Sequence, residues 1–272
     1  MTTEPEPTRD NEVQASREVL LEVMTVLGSE IDKMVVVGGW VPELLYPDCG
    51  HIGSLDVDVA LDGRKIQPTA YDSIRQRLMA AGYTQQQGMP NVFYRDLEGR
   101  SIVVKVDFIT GEGDVPASEV SQTLIQEMSV GKLKGTDLAL DHTIEIEVEG
   151  PLPSGAKNKI SVRIATVAAF ICMKAFALNE RKKEKDAYDI HFCLLHCEGG
   201  PQELAKAFIP LLGEPLVADA IEILKNKFSS IEMVGPQWAG QIAAEYGDDS
   251  ETAARDAYER MSLLLSSIVE NG

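Results

Sequence analysis

Met34-Val-Val-Val37-Gly38-Gly39-Trp40 and, further on, Leu55-Asp56-Val57-Asp58-Val59-Ala60-Leu61 are the stretches on which the reading of this chain turns. The first is a short apolar run rich in β-branched residues and stopped by two glycines, the pattern of a strand followed by a turn. Trp40 to Tyr46 then fits a short helix with Pro42 in its first turn. The second stretch alternates, so a strand over Leu55–Leu61 sends Leu55, Val57, Val59 and Leu61 to one face and both aspartates to the other. Two carboxylates side by side on a half-buried strand repel each other. A divalent cation removes that cost, and hard carboxylate oxygens suit Mg²⁺ or Mn²⁺.

A third acid, Asp107, interrupts the apolar run Ile102–Ile109. Neighbouring strands lie about 4.8 Å apart. If the two strands pair, Asp56, Asp58 and Asp107 can surround two metal ions at a spacing of roughly 3.5–4 Å. Asp107 is then the candidate general base or a metal ligand. Upstream, Gly38 and Gly39 let a backbone approach a phosphate, and the helix after them can aim amide N–H groups at the anion. Ser54 offers a hydroxyl to the same phosphates. Taken singly, each feature has a plain structural account: the glycine pair as a turn, Asp56 and Asp58 as solvent-facing residues of an edge strand, Asp107 as a strand end. Their order along the chain is more specific than any one of them.

That order resembles the DNA polymerase β nucleotidyltransferase superfamily, in which a glycine pair, a short helix, an Asp-x-Asp strand and a third acid on another strand follow one another. Gly38, Gly39, Asp56, Asp58 and Asp107 match, and Trp40 follows the glycines as in antibiotic-modifying members. The interval from Gly39 to Asp56 is longer than in that pattern; a loop at Pro47–Gly50 accommodates the excess. The resemblance implies an α+β nucleotidyltransferase fold, a small mixed sheet flanked by helices. It also implies a site of Asp56, Asp58 and Asp107 on Mg²⁺ (two ions, with Mn²⁺ as an alternative), and Gly38, Gly39, Trp40 and Ser54 on the nucleotide.

Around this core, helices are expected over Val13–Leu27 and Tyr71–Ala81, a hairpin over Asn91–Asp96 and Ser101–Ile109, and a helix or loop over Ser118–Val130. Strands are expected over His142–Val148 and Ile160–Ile164. Beyond Thr166 the pattern turns helical almost to the end. The organisation read from this is a disordered tail over 1–12, a nucleotidyltransferase domain over 13–164 and a helical domain over 165–272.

The helical part carries one lysine, Lys174, on an almost wholly apolar stretch. It is followed by Arg181-Lys-Lys-Glu-Lys185-Asp186-Ala-Tyr-Asp189. A lysine there must either reach water along its own stem or find an anion, which a nucleotide triphosphate would supply. Asp186 and Asp189 share a helix face. Asp186 either serves the active site, pairs with Lys174 or caps the helix. The basic run is either a solvated loop or a contact for an RNA acceptor. Lys174, Lys185, Asp186 and Asp189 are similar to the later motifs of the AbiEii/AbiGii-type toxin nucleotidyltransferases. That resemblance adds Lys174 and Asp186 to the catalytic set, with Lys174 also on the nucleotide, and implies a cognate antitoxin.

Composition bounds the rest. Hydrophobic residues make up 44% and charged residues 25% of 272, a globular balance. No apolar stretch approaches the roughly 20 residues that span a bilayer. The acidic, Pro-rich start lacks signal-peptide features, so a cytoplasmic protein without membrane attachment is expected. Cys172, Cys193 and Cys197 read as small buried hydrophobes rather than zinc ligands. The net charge of −18 counts against a large nucleic-acid partner but leaves an NTP open. The resemblances imply three classes: a toxin moving a nucleoside monophosphate from an NTP (ATP among them) to an acceptor such as tRNA, an enzyme modifying a small molecule such as an antibiotic, and a non-catalytic nucleotide-binding member of the fold.

Overall fold

The computed structural model describes residues 7–66, 68–111 and 133–271. The Ser118–Val130 segment and residues 1–6 of the expected tail lie outside these. The chain divides into two compact units, Met1–Leu44 with Ile52–Ala165, and Leu45–His51 with Thr166–Gly272.

The first unit is built on one mixed sheet. Its strands are β1 (Met34–Val37), β2 (Val57–Leu61), β3 (Tyr83–Gln86), β4 (Met89–Leu97), β5 (Ile102–Ile109), β6 (Thr143–Pro151) and β7 (Lys157–Ala165). They stand in the order β3-β4-β5-β2-β1-β7-β6. Pairing is antiparallel for β1–β2, β3–β4, β4–β5 and β6–β7, and parallel for β2–β5 and β1–β7. The central strands are the apolar ones: all four residues of β1 are buried. β5 alternates, with Ile102, Val104, Val106 and Phe108 in the core and Val103, Lys105, Asp107 and Ile109 on its other face.

Helices α1 (Arg9–Val26), α2 (Trp40–Leu45), α3 (Pro68–Ala80) and α4 (Thr136–Asp141) accompany the sheet. α1 packs on β2, β5, β6 and β7 through Ala15, Val19, Leu20 and Val23. It begins at Arg9, with the Asn11 amide donating to the Thr8 hydroxyl. Residues 9–12 are therefore helical and correct the expected tail: a Ser/Thr cap followed by Asp10 and Glu12 in the first turn starts a helix ahead of its first apolar residue. β2 opens at Val57, not Leu55; Leu55 is exposed and Asp56 sits in a bend.

Buried polar groups tie α1 to what it covers. The Trp40 indole N–H donates to Ser16 Oγ at 3.2 Å, both side chains buried. Ser16→Ala leaves that N–H without an acceptor and is expected to cost about 1–3 kcal/mol in urea unfolding; an unchanged midpoint would show that the bond contributes nothing.

The second unit is helical: α5 (Val167–Glu180), α6 (Glu184–His196), α7 (Gly200–Phe208), α8 (Pro215–Lys227), α9 (Val234–Glu245) and α10 (Ser250–Asn271). α5 is buried without a break from Ala168 to Leu178, as a helix apolar on every side must be, and packs against α6, α7 and α8. α9 and α10 pair with each other and against α6. Cys172 and Cys193 are buried, and burial pushes the Cys172 thiol up to about 12. Cys197 closes α6 and is partly exposed, which corrects its reading as a core residue. No helix among the described residues is long and apolar enough to cross a membrane.

Candidate active site

The β2–β5 pairing decides where the acids fall. Its parallel register sets Asp58 beside Asp107, and paired residues project to the same face of a sheet. Asp56 lies two residues earlier, next to β2. One lysine reports all three: burial alone would lower the Lys105 pKa, but its hydrogen bond to Asp107 and the fields of Asp107, Asp56 and Asp58 raise it. Lys105 Nζ lies 2.5 Å from Asp107 Oδ2. In the sequence Lys105 reads only as an interruption of an apolar strand; its period-two spacing from Asp107 is the signal that places it in the site.

The opposite flank is set by Gly38. β1 pairs with β2 so that Val37 stands against Asp58, and the chain then turns at Gly38 with φ of +68°. A β-carbon there would come within 2.8 Å of Asp58 Cγ and collide with its Oδ2. Glycine is thus required both for the left-handed backbone and for the space of the carboxylate. Ser54 is buried in the same unit. Trp40 is not available as expected: its indole is a core side chain committed to Ser16, leaving only its backbone to a ligand.

Among the described residues no group of three or more histidine, cysteine, aspartate or glutamate side chains is gathered closely enough to hold a metal ion as it stands; the fit to a divalent cation rests on donor chemistry. Three buried side-chain oxygens among the described residues have no hydrogen-bond partner: Asn91 Oδ1, Thr136 Oγ1 and Asp107 Oδ1. Only the last belongs to an ionisable group. A buried carboxylate oxygen with no donor is costly. The hard oxygens of Asp56, Asp58 and Asp107 supply the donor type that Mg²⁺ takes.

The second unit holds its own charge cluster. Lys174 Nζ lies 2.7 Å from Asp186 Oδ1 and 2.7 Å from Asp189 Oδ2. Lys185 Nζ reaches both oxygens of Asp189, at 2.9 and 3.2 Å, and Arg181 grips Asp186 at 2.9 and 3.0 Å. His51 Nε2 lies 3.0 Å from Asp189 Oδ1. Burial lowers the His51 pKa, so the imidazole is neutral at pH 7 and donates Nε2–H to the carboxylate. The anion demanded by Lys174 is therefore supplied inside its own unit, which removes the reason to assign it a triphosphate. Asp186 pairs with Lys174 and does not cap α6, whose N-cap is Lys183. Arg181 and Lys185 are likewise matched by carboxylates, which leaves less of the basic run for RNA.

Comparison with known proteins assigns the chain to a family. The family described as "Nucleotidyl transferase AbiEii toxin, Type IV TA system" matches residues 53–260, well over half of the chain. This chain belongs to the AbiEii family. It is a nucleotidyltransferase, and the family's toxin–antitoxin setting implies an antitoxin counterpart. The matched range takes in Asp56, Asp58, Asp107, Lys174 and Asp186 and starts after Gly38 and Gly39. Among solved structures, "Crystal structure of putative nucleotidyltransferase from H. pylori" aligns at TM-score 0.50 and 15% identity, over 95% of this chain and 98% of the other. That likeness concerns the fold. "Crystal structure of JHP933 from Helicobacter pylori" aligns at 0.46 and 15%, over 93% and 94%. A search of curated proteins returns no significant match.

Proposed function

We propose that this AbiEii-family chain moves a nucleoside monophosphate from an NTP, ATP among them, to a hydroxyl acceptor in the cytoplasm, with the 3′ end of tRNA as the leading candidate. Asp56, Asp58 and Asp107 would hold the Mg²⁺ ions that such a reaction requires, with Mn²⁺ able to replace them. The observation that carries the reading is the register pair Asp58–Asp107 with a buried, unpartnered oxygen on Asp107.

Bound divalent ions supply charge neutralisation and lower the pKa of the attacking hydroxyl. The chain's own groups do the rest. Asp107 would accept the proton of the acceptor hydroxyl as its oxygen attacks the α-phosphorus and the bond to the departing pyrophosphate breaks. The glycine turn keeps Asp58 in position and lets the backbone come close to the triphosphate, and Ser54 adds a hydroxyl donor. Lys174 and Asp186 serve here by holding the second unit together.

The test is incubation of the purified protein with each labelled NTP and Mg²⁺, in parallel with total tRNA and with small-molecule acceptors such as antibiotics. Label on tRNA, lost with EDTA, is expected. Label on the small molecules alone moves the enzyme to the modifying class. Nucleotide binding without transfer to any acceptor overturns the proposal and favours a non-catalytic member of the fold.

A further inference from the structure

Lys105 stands out from the other basic residues near the sheet. It projects from the same face of β5 as Asp107, and its ammonium is bonded to Asp107 Oδ2. Continuing the β2–β5 register one step beyond Val57–Val106 sets it level with Asp56. Its side chain is 35% exposed, against 19% for Asp107, so the ammonium is the more open of the two to water. Three carboxylates crowd this face, and the lysine partly offsets their mutual repulsion. A divalent ion binding the same carboxylates repels a neighbouring ammonium twice as strongly as a unit charge at that distance would.

We infer that Lys105 is the resident counter-cation of the acid site, holding Asp107 in the metal-free protein and giving up that contact when a divalent ion enters. Metal entry is then an exchange of one cation for another, with Lys105 as the competitor. This rests on the proposed metal site at Asp56, Asp58 and Asp107. Lys105 is a positioning residue: it acts through Asp107, holding the carboxylate oriented before the substrate arrives.

The experiment measures Mn²⁺ binding by calorimetry to the EDTA-stripped full chain, in the wild type, Lys105→Met and Lys105→Arg. Lys105→Met is expected to bind Mn²⁺ about tenfold tighter. It is also expected to melt at a lower temperature without metal and to gain more from added Mn²⁺ than the wild type does. Lys105→Arg keeps the charge and is expected to stay near wild-type affinity. Should Lys105→Met fail to fold, amine-reactive labelling of the wild type read by mass spectrometry takes its place, with Lys105 expected to react faster once Mn²⁺ is present. A wild type that binds no Mn²⁺ overturns the metal site and this inference together. A wild type that binds, with Lys105→Met equal or weaker or with Lys105 labelling unmoved by Mn²⁺, overturns this inference alone.

Discussion

Gly38→Ala is expected to lower kcat/KM for nucleotidyl transfer by at least about 100-fold, the order of loss that follows from misplacing a reacting group by 1 Å. Two costs meet at this residue. With φ at +68°, any L side chain pays about 1–2 kcal/mol for the left-handed backbone. The added β-carbon would also overlap the Asp58 carboxylate, coming within 2.9 Å of its Cβ and 2.8 Å of its Cγ. Asp58 stands level with Asp107 in the β2–β5 register, so turning its side chain away from residue 38 moves the carboxylate within the acid site. The fold itself should survive, because all four residues of β1 are buried and each keeps its register partner on β2. The measurement is transfer of labelled NTP beside a thermal melt, with Asp58→Asn as the comparison and Gly28→Ala, where nothing lies within 4 Å, as the control. Gly38→Ala should match Asp58→Asn in lost turnover while keeping a near-native melt. Wild-type turnover in Gly38→Ala would separate Asp58 from the chemistry.

The parts of this site legible in the sequence are those that depend on local pattern. Met34–Val37 is a strand because four apolar residues stop at two glycines, and that strand is found with those bounds. The Asp-x-Asp alternation and the lone Asp107 mark the three acids, two of them on strand faces and Asp56 in the bend just before β2. Their meeting depended on β2 lying beside β5, a long-range pairing that local pattern does not dictate. What stayed hidden depends on partners far away in the chain. Trp40 read as a nucleotide contact because its acceptor, Ser16, sits on a different helix. Strand β3, Tyr83-Thr-Gln-Gln86, has one buried anchor and no apolar alternation to announce it. Lys174 declared its need for an anion but not which one, since Asp186 and Asp189 look equally like solvent-facing helix residues. His51 was invisible for the same reason: it lies in the short Leu45–His51 segment that joins the second unit, where it meets Asp189.

Asp189→Ala is expected to destabilise the second unit by about 3–5 kcal/mol, the range for removing one member of a buried ion pair. The carboxylate is fully buried and takes contacts from three groups: Lys174 at 2.7 Å, Lys185 at 2.9 Å and His51 at 3.0 Å. Lys185 can swing its partly exposed head to water, but Lys174 would keep only Asp186, and the His51 N–H would lose its acceptor in the core. Asp186→Ala should cost less, because its second partner, Arg181, is 44% exposed and can hydrate. Burial would raise the Asp189 pKa, but Lys174, Lys185 and His51 overcome it and hold the carboxyl well below the unfolded value of 3.8. A group depressed in this way stabilises the fold above about pH 4 and loses that contribution as the pH falls further. His51, held below its usual 6.5 by burial, binds its proton more readily in the unfolded chain, so stability falls in the same direction from about pH 6.5 downward. The chain has two tryptophans, Trp40 in the first unit and Trp238 in the second, so Trp40→Phe makes fluorescence report on the second unit alone. In that background the urea midpoint should drop between pH 7 and pH 3, and Asp189→Ala should start lower and fall less steeply below pH 4, where Asp186 and Asp256, also held below their usual value, still contribute. A loss under 1 kcal/mol at pH 7, or an unchanged acid slope, would mean that the cluster does not hold the second unit together.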